Sequence, residues 1–242
     1  MRWEWEPSVV IGCAALAGGY LYWLRGTATQ ILLFLGGVIL LLLDLVSPID
    51  TLADGYLFSA HVVQHFLLAL IVPLLLASGV RASTLPARFR AARISPVICW
   101  TLGVGTMLAW HLPPLFNAAL DNGALHIFQH LTFLATGVIF WWPVIKEPRL
   151  APFPAIAYLF SACTGCSLLG AILTFTPPGL YPAYLHPHDD TILRMVRDNW
   201  GLDPKSDQQL GGMLMWVPGC LVYLGAILAR VAHWYGAARQ EA

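Results

Sequence analysis

The chain has 242 residues, 58% of them apolar and only 11% charged, against about 25% charged in a soluble domain. Its mean hydropathy of +0.68 is more apolar surface than one core of this length buries, so lipid must solvate the rest. That excludes a soluble enzyme, a disordered tail and a collagen-like rod. Thirteen basic and thirteen acidic side chains cancel, and no basic stripe offers a nucleic-acid footprint. Five cysteines scattered through apolar segments are no disulfide framework.

Seven apolar runs approach or exceed the ~20 residues of a bilayer-crossing helix: 8–24, 28–46, 56–80, 96–111, 123–142, 154–175 and 207–235. The sequence therefore predicts an all-α, polytopic integral membrane protein with one transmembrane domain over 1–242, a seven-transmembrane-helix bundle. The first run does not read as a signal peptide, because Glu4 and Glu6 precede it and Arg25 follows it. The last run exceeds one span, and Pro218-Gly219 within it predicts a kink. The longest connection, 176–206, contains a helical candidate over 191–200, which Asp189 or Asp190 would cap. This outer loop reads as a lid.

Orientation follows from the basic residues. With seven spans, Arg25, Arg81, Arg88, Arg90, Arg93, Lys146, Arg149, Arg230 and Arg239 fall on one side, and only Arg2, Arg194, Arg197 and Lys205 on the other. The positive-inside rule makes the nine-charge side cytoplasmic and puts the N-terminus outside. Trp3, Trp5 and Trp110 then sit at outer ends, and Trp23, Trp141, Trp142 and Trp234 at inner ends.

That topology sorts the histidines. Seven of the eight map to the outer half or the outer loop, and only His233 to the cytoplasmic end. Spans three and five begin alike, with His61-Val62-Val63-Gln64-His65 and His126-Ile127-Phe128-Gln129-His130. Positions i, i+3 and i+4 share one helix face, so each pattern projects two imidazoles and an amide from one stripe. His111 closes span four at the same depth; Asp207, Gln208, Met213 and Met215 open span seven there, and Asp44, Asp50 and Asp54 end span two.

This constellation reads as a metal site near the outer surface, with His61, His65, His111, His126 and His130 as ligands. Imidazole suits copper, zinc and iron, and thioether selects copper(I). Met215 is the better methionine ligand because Asp207, Gly211 and Met215 fall four apart. Gln64, Gln129, Asp207 and Gln208 would orient imidazole N–H groups from behind. Paired histidines at helix ends also serve as packing groups satisfied by water or carbonyls. Repetition of the pair, at one depth inside a membrane, favours the functional reading.

Several motifs are missing. Neither pair has the glutamate of H-E-x-x-H, so a zinc protease is disfavoured, and the Glu-x-x-His ladder of a di-iron bundle is absent. Cys163-Thr164-Gly165-Cys166 lies mid-span among Ser161, Ala162, Ser167, Gly170 and Ala171, as a small-residue packing face does; a soft-metal role for the pair stays open. His186-Pro187-His188-Asp189-Asp190 is either a metal-catching tip or a solvated turn. Haem b held by one histidine from span three and one from span five is an alternative, as is a histidine-rich iron oxygenase. An importer would need an inner path, for which only Cys99, Cys220 and His233 are available.

At these residues the sequence resembles the multi-span CtaG-type cytochrome c oxidase assembly proteins. The matching stretches are Ser47-Pro48-Ile49-Asp50, Ser59 through His65, Trp110-His111-Leu112-Pro113, His126 through Phe133 and Phe140-Trp141-Trp142-Pro143. Gly170 through Leu173, Leu180-Tyr181-Pro182, Asp207 through Gly212 and Met215 through Gly219 complete the match. The resemblance implies a non-enzymatic factor of the bacterial cytoplasmic membrane that helps mature a haem–copper oxidase at a copper-dependent step. It carries the family's histidines to His61, His65, His111, His126 and His130, and implies a carboxylate where this chain has Gln129.

Overall fold

Helix boundaries fall where local chemistry sets them. The computed structural model describes residues 3–24, 26–84, 94–146, 149–185 and 190–240, and its regular structure is entirely helical among them. Arg2, Arg25, Arg88, Arg90, Arg93 and the His186-Pro187-His188-Asp189 tip lie outside the described residues.

Helix α1 (Pro7–Trp23) starts on a proline, whose missing N–H costs nothing in a first turn. Helix α2 (Ala28–Val46) opens with a reciprocal cap: Gln30 N–H donates to Thr27 Oγ1 (3.3 Å) and Thr27 N–H to Gln30 Oε1 (3.0 Å). Ser47 caps the short α3 (Pro48–Ala53). Then come α4 (Phe58–Gly79), α5 (Pro96–Trp110) and α6 (Pro113–Asp121). Asn122 caps α7 (Gly123–Ile145), followed by α8 (Pro152–Phe175), α9 (Asp190–Arg194) and α10 (Pro204–Gln240).

Five of these are long and apolar enough to cross a membrane: α2, α4, α7, α8 and Pro204–Gly236 of α10. Helices α1 and α5 are apolar but have 17 and 15 residues. They reach about 26 and about 23 Å at 1.5 Å per residue, short of a hydrocarbon core of about 30 Å.

Three details differ from the sequence reading. Helix α10 continues through Pro218 and extends past both ends of 207–235. Residues 113–121, read as connection, form α6. The 191–200 candidate is α9 followed by a π turn, Met195–Asn199, and Asp190 is the first residue of α9.

Helix α4 is the bundle's axis: 56% of its most apolar stretch is buried, against 22–33% for the other long helices. It packs on α2, α7 and α10. Pro73 offers no N–H to the Ala69 carbonyl, and the helix widens into a π turn over Leu67–Ile71 just before it. Trp141 of α7 donates its indole N–H to the Leu70 carbonyl (2.9 Å). A Cβ on Gly137 would lie 2.5 Å from the Ala69 carbonyl oxygen, so α4 and α7 meet backbone to backbone. Helices α8 and α10 touch the same way. A Cβ on Gly170 would stand 2.8 Å from the Gly212 carbonyl, and one on Gly212 would stand 2.7 Å from the Gly170 carbonyl. The small residues around Cys163 and Cys166 thus belong to a helix-packing face.

At the end of the bundle away from the histidine pairs, Lys146 donates to the Ser78 and Val80 carbonyls that terminate α4. Burial, aided by Arg149, pushes its ammonium down to about 8.

Candidate functional site

Three helix ends converge on the histidines. Helix α4 supplies His61 and His65 one turn apart, α7 supplies His126 and His130, and His111 is the residue that ends α5. The rings of His61 and His65 lie 3.9 Å apart, those of His126 and His130 4.3 Å, and His61 faces His126 at 5.8 Å with the planes nearly parallel. His65 also neighbours His130 (5.4 Å) and His111 (6.2 Å). One ring nitrogen each from His61, His65 and His126 fall within 4.8 Å of one another.

Hydrogen bonds fix which nitrogen two of the rings present. His61 Nδ1 lies 3.3 Å from the Ala53 carbonyl and His111 Nδ1 2.7 Å from the Met107 carbonyl. A carbonyl only accepts, so Nδ1 carries the proton and Nε2 keeps its lone pair. His61, His111, His126 and His130 all have a buried Nε2 without a partner among the described residues, and His65 has both nitrogens so. Buried polar atoms normally find partners. Imidazole is a ligand of zinc, copper, nickel and iron, and five orphaned rings at one place offer such an ion its donors.

The site is roofed by aromatic side chains. Phe116 of α6 stacks on Tyr181 (3.8 Å) and touches the His61 ring (4.6 Å), and Tyr181 stacks on Phe58 (5.1 Å). Tyr181 donates to the His111 carbonyl (2.8 Å), and Tyr184 to the Ala53 carbonyl (3.0 Å) that also holds His61. Arg197 pins this lid through the Tyr184 carbonyl (2.9 Å). The lid expected of 176–206 is therefore built from Tyr181 and Tyr184 within it and Phe116 from outside it.

The four residues expected behind the imidazoles divide. Gln129 is fully buried with neither amide atom partnered among the described residues. Gln64 donates to Asp50 (2.6 Å) and leaves its oxygen open. Asp207 instead accepts from the N–H groups of Phe58 (2.7 Å) and Ser59 (3.0 Å) and from the Ser59 hydroxyl, capping α4 from a different helix. Gln208 donates to the Leu173 (2.9 Å) and Thr176 (2.7 Å) carbonyls that end α8. Of the two methionines, Met215 is buried against the same cavity as His65 and His111, and Met213 is exposed. His233 is exposed at the far end of α10.

Sequence reasoning passed over Phe116 and gave Asp44 and Asp50, which it placed at this depth, no role. Asp44 of α2 is buried with both oxygens unpartnered among the described residues. Burial, opposed by the Gln64 hydrogen bond, pushes Asp50 up to about 6 from its ordinary 3.8. Because the folded state favours the protonated carboxyl, the stabilisation is full below about pH 4 and is lost as pH rises through about 6. Asp50→Asn is expected to flatten the fall in thermal midpoint between about pH 4 and about pH 6, read by differential scanning fluorimetry in detergent.

The chain is 26% identical to the uncharacterized protein ML1998 of Mycobacterium leprae, covering 88% of this chain and 34% of that one. It is also 26% identical to the uncharacterized protein Mb0105 of Mycobacterium bovis, covering 76% of this chain and 30% of that one. The chain thus spans about a third of the length of these relatives. No solved structure matches it. The profile of the family described as cytochrome c oxidase caa3 assembly factor (Caa3_CtaG) matches residues 14–237, almost the whole chain, and the chain belongs to that family.

Proposed function

We propose that this protein is a cytochrome c oxidase assembly factor of the bacterial cytoplasmic membrane that carries copper as cargo on its outer face and passes it to a haem–copper oxidase subunit. The observation that carries the reading is the His61, His65 and His126 cluster, three ligand nitrogens within 4.8 Å, with His130 and His111 beside it. An incomplete, adjustable ligand set leaves positions open to an acceptor's ligands, as handover needs. The open Gln64 and Gln129 atoms lie on the same helices as the histidine pairs, and Met215 of α10 lines the adjoining cavity. The lid of Phe116, Tyr181 and Tyr184 keeps bulk water from the ion.

The topology that supports this reading has seven spans, α1 and α5 included, with the N-terminus outside. Nine of thirteen basic residues then fall on the cytoplasmic side. The cavity adjoining His65 and His111, about 50 Å³, favours a single ion over a haem b macrocycle, which needs several hundred cubic ångströms. An iron oxygenase has no comparable support.

Oxidase activity in membranes tests the reading. In cells lacking the chain, His61→Ala/His126→Ala is expected to restore less than about a tenth of the activity that the wild type restores. Excess copper in the medium should recover it. A variant that assembles oxidase normally, or a defect that copper does not relieve, would turn the reading towards a scaffold.

A further inference from the structure

The C-x-x-C of α8 does not act as a pair. Cys163 turns to Cys220 of α10, Sγ to Sγ 3.0 Å, whereas Cys166 turns inward and lies 3.2 Å from Met107 Sδ of α5. Met107, Cys166 and Met215 are all buried, from three different helices, and all line the cavity of about 50 Å³. Its upper wall holds His65 and His111, with their unpartnered nitrogens. Met107 lies one helical turn, about 6 Å, deeper than His111, so the sulfurs form a floor under the imidazoles. Methionine in a core ordinarily fills space. Here two thioethers and a thiol surround space that stays open.

We propose that Met107, Cys166 and Met215 form a second metal site, selective for copper(I), below the histidine cluster. Two neutral thioethers and one thiolate around a monovalent cation are net neutral, the only charge state that a dry membrane interior accepts cheaply. Zinc, magnesium and calcium are excluded, being divalent and poorly served by thioether sulfur. On binding, the copper(I)–sulfur bond replaces the Cys166 S–H bond, and the proton leaves past the imidazoles to outer water. No electron moves. Sulfur ligation holds the ion in its reduced state, and the site serves as a store from which the imidazoles above are loaded. The site deepens the copper reading but does not need the histidine cluster to be a binding site.

The test is titration of the metal-free protein in detergent with copper(I), against a chromophoric copper(I) chelator, with copper K-edge X-ray absorption on the loaded samples. Wild type is expected to take up two equivalents, with sulfur among the scatterers, and to release one proton with the inner ion. Met107→Leu/Met215→Leu conserves core volume and is expected to lose one equivalent and the sulfur signal at an unchanged metal-free thermal midpoint. Cys166→Ala should do the same and abolish the proton release. His61→Ala/His126→Ala should lose the other equivalent and keep the sulfur signal. If the histidine reading alone fails, wild type binds one equivalent, through sulfur, indifferent to the histidine substitutions. Nitrogen-only scattering, or a stoichiometry unchanged in the methionine double variant, overturns the inner site.

Discussion

Purified from copper-replete cells, the His65→Ala/His130→Ala variant is expected to lose the copper equivalent held by the imidazoles and keep only the sulfur-bound one, whereas His233→Ala carries both. His65 is the hub: its ring contacts those of His61, His111 and His130, and both of its nitrogens lack partners among the described residues. His130 backs His126 at 4.3 Å between ring centres. Removing the two leaves His61 facing His126 and takes away the ring that His111 neighbours, too few adjacent donors to replace an ion's hydration. Neither imidazole makes a hydrogen bond through Nε2 that the fold would lose, so the cost to the metal-free fold is the packing lost with two buried rings. Elemental mass spectrometry reads the metal, and the histidine far from the cluster serves as its control. Equal copper in the double variant and the wild type would remove the imidazoles as ligands.

Asp207→Ala is expected to destabilise the bundle by at least roughly 3 kcal/mol, since three buried donors lose their acceptor at about 1–3 kcal/mol each. The Phe58 and Ser59 amides sit in the first turn of α4, where a helix has no internal acceptors for them. Lipid offers none either. The carboxylate also complements the positive end of the α4 dipole. Asp207→Asn, which keeps one acceptor oxygen, should cost less than half as much. Because α4 carries His61 and His65, its first turn positions the cluster, and loss of the cap should lower copper occupancy along with the thermal midpoint. A stable Asp207→Ala protein with disordered histidines would separate the two effects; one unchanged in both would show that water reaches α4's first turn.

What was legible in the sequence is what depends on near neighbours along the chain. Hydropathy over about 20 residues located α2, α4, α7, α8 and α10, because a helix satisfies its own backbone and only its side chains need suit the lipid. The i, i+4 spacing of His61 with His65 and of His126 with His130 places each pair on one stripe whatever the helix packs against. The cap of Ser47 on α3 and the Thr27 and Gln30 box on α2 are local in the same sense.

Tertiary structure decided the partners. Asp207 finds its donors 148 and 149 residues away, a choice made by the packing of α10 on α4. The same packing turns Met215 inward and leaves Met213 exposed. Cys163 and Cys166, only three apart, point to Cys220 and Met107 because α8 wedges between α10 and α5. Sequence alone determined that this chain lives in a membrane and gathers imidazoles at one end of its helices. Which polar atoms stay without partners among the described residues was settled only when the helices packed, since hydrogen bonds to distant carbonyls and amides consumed the rest.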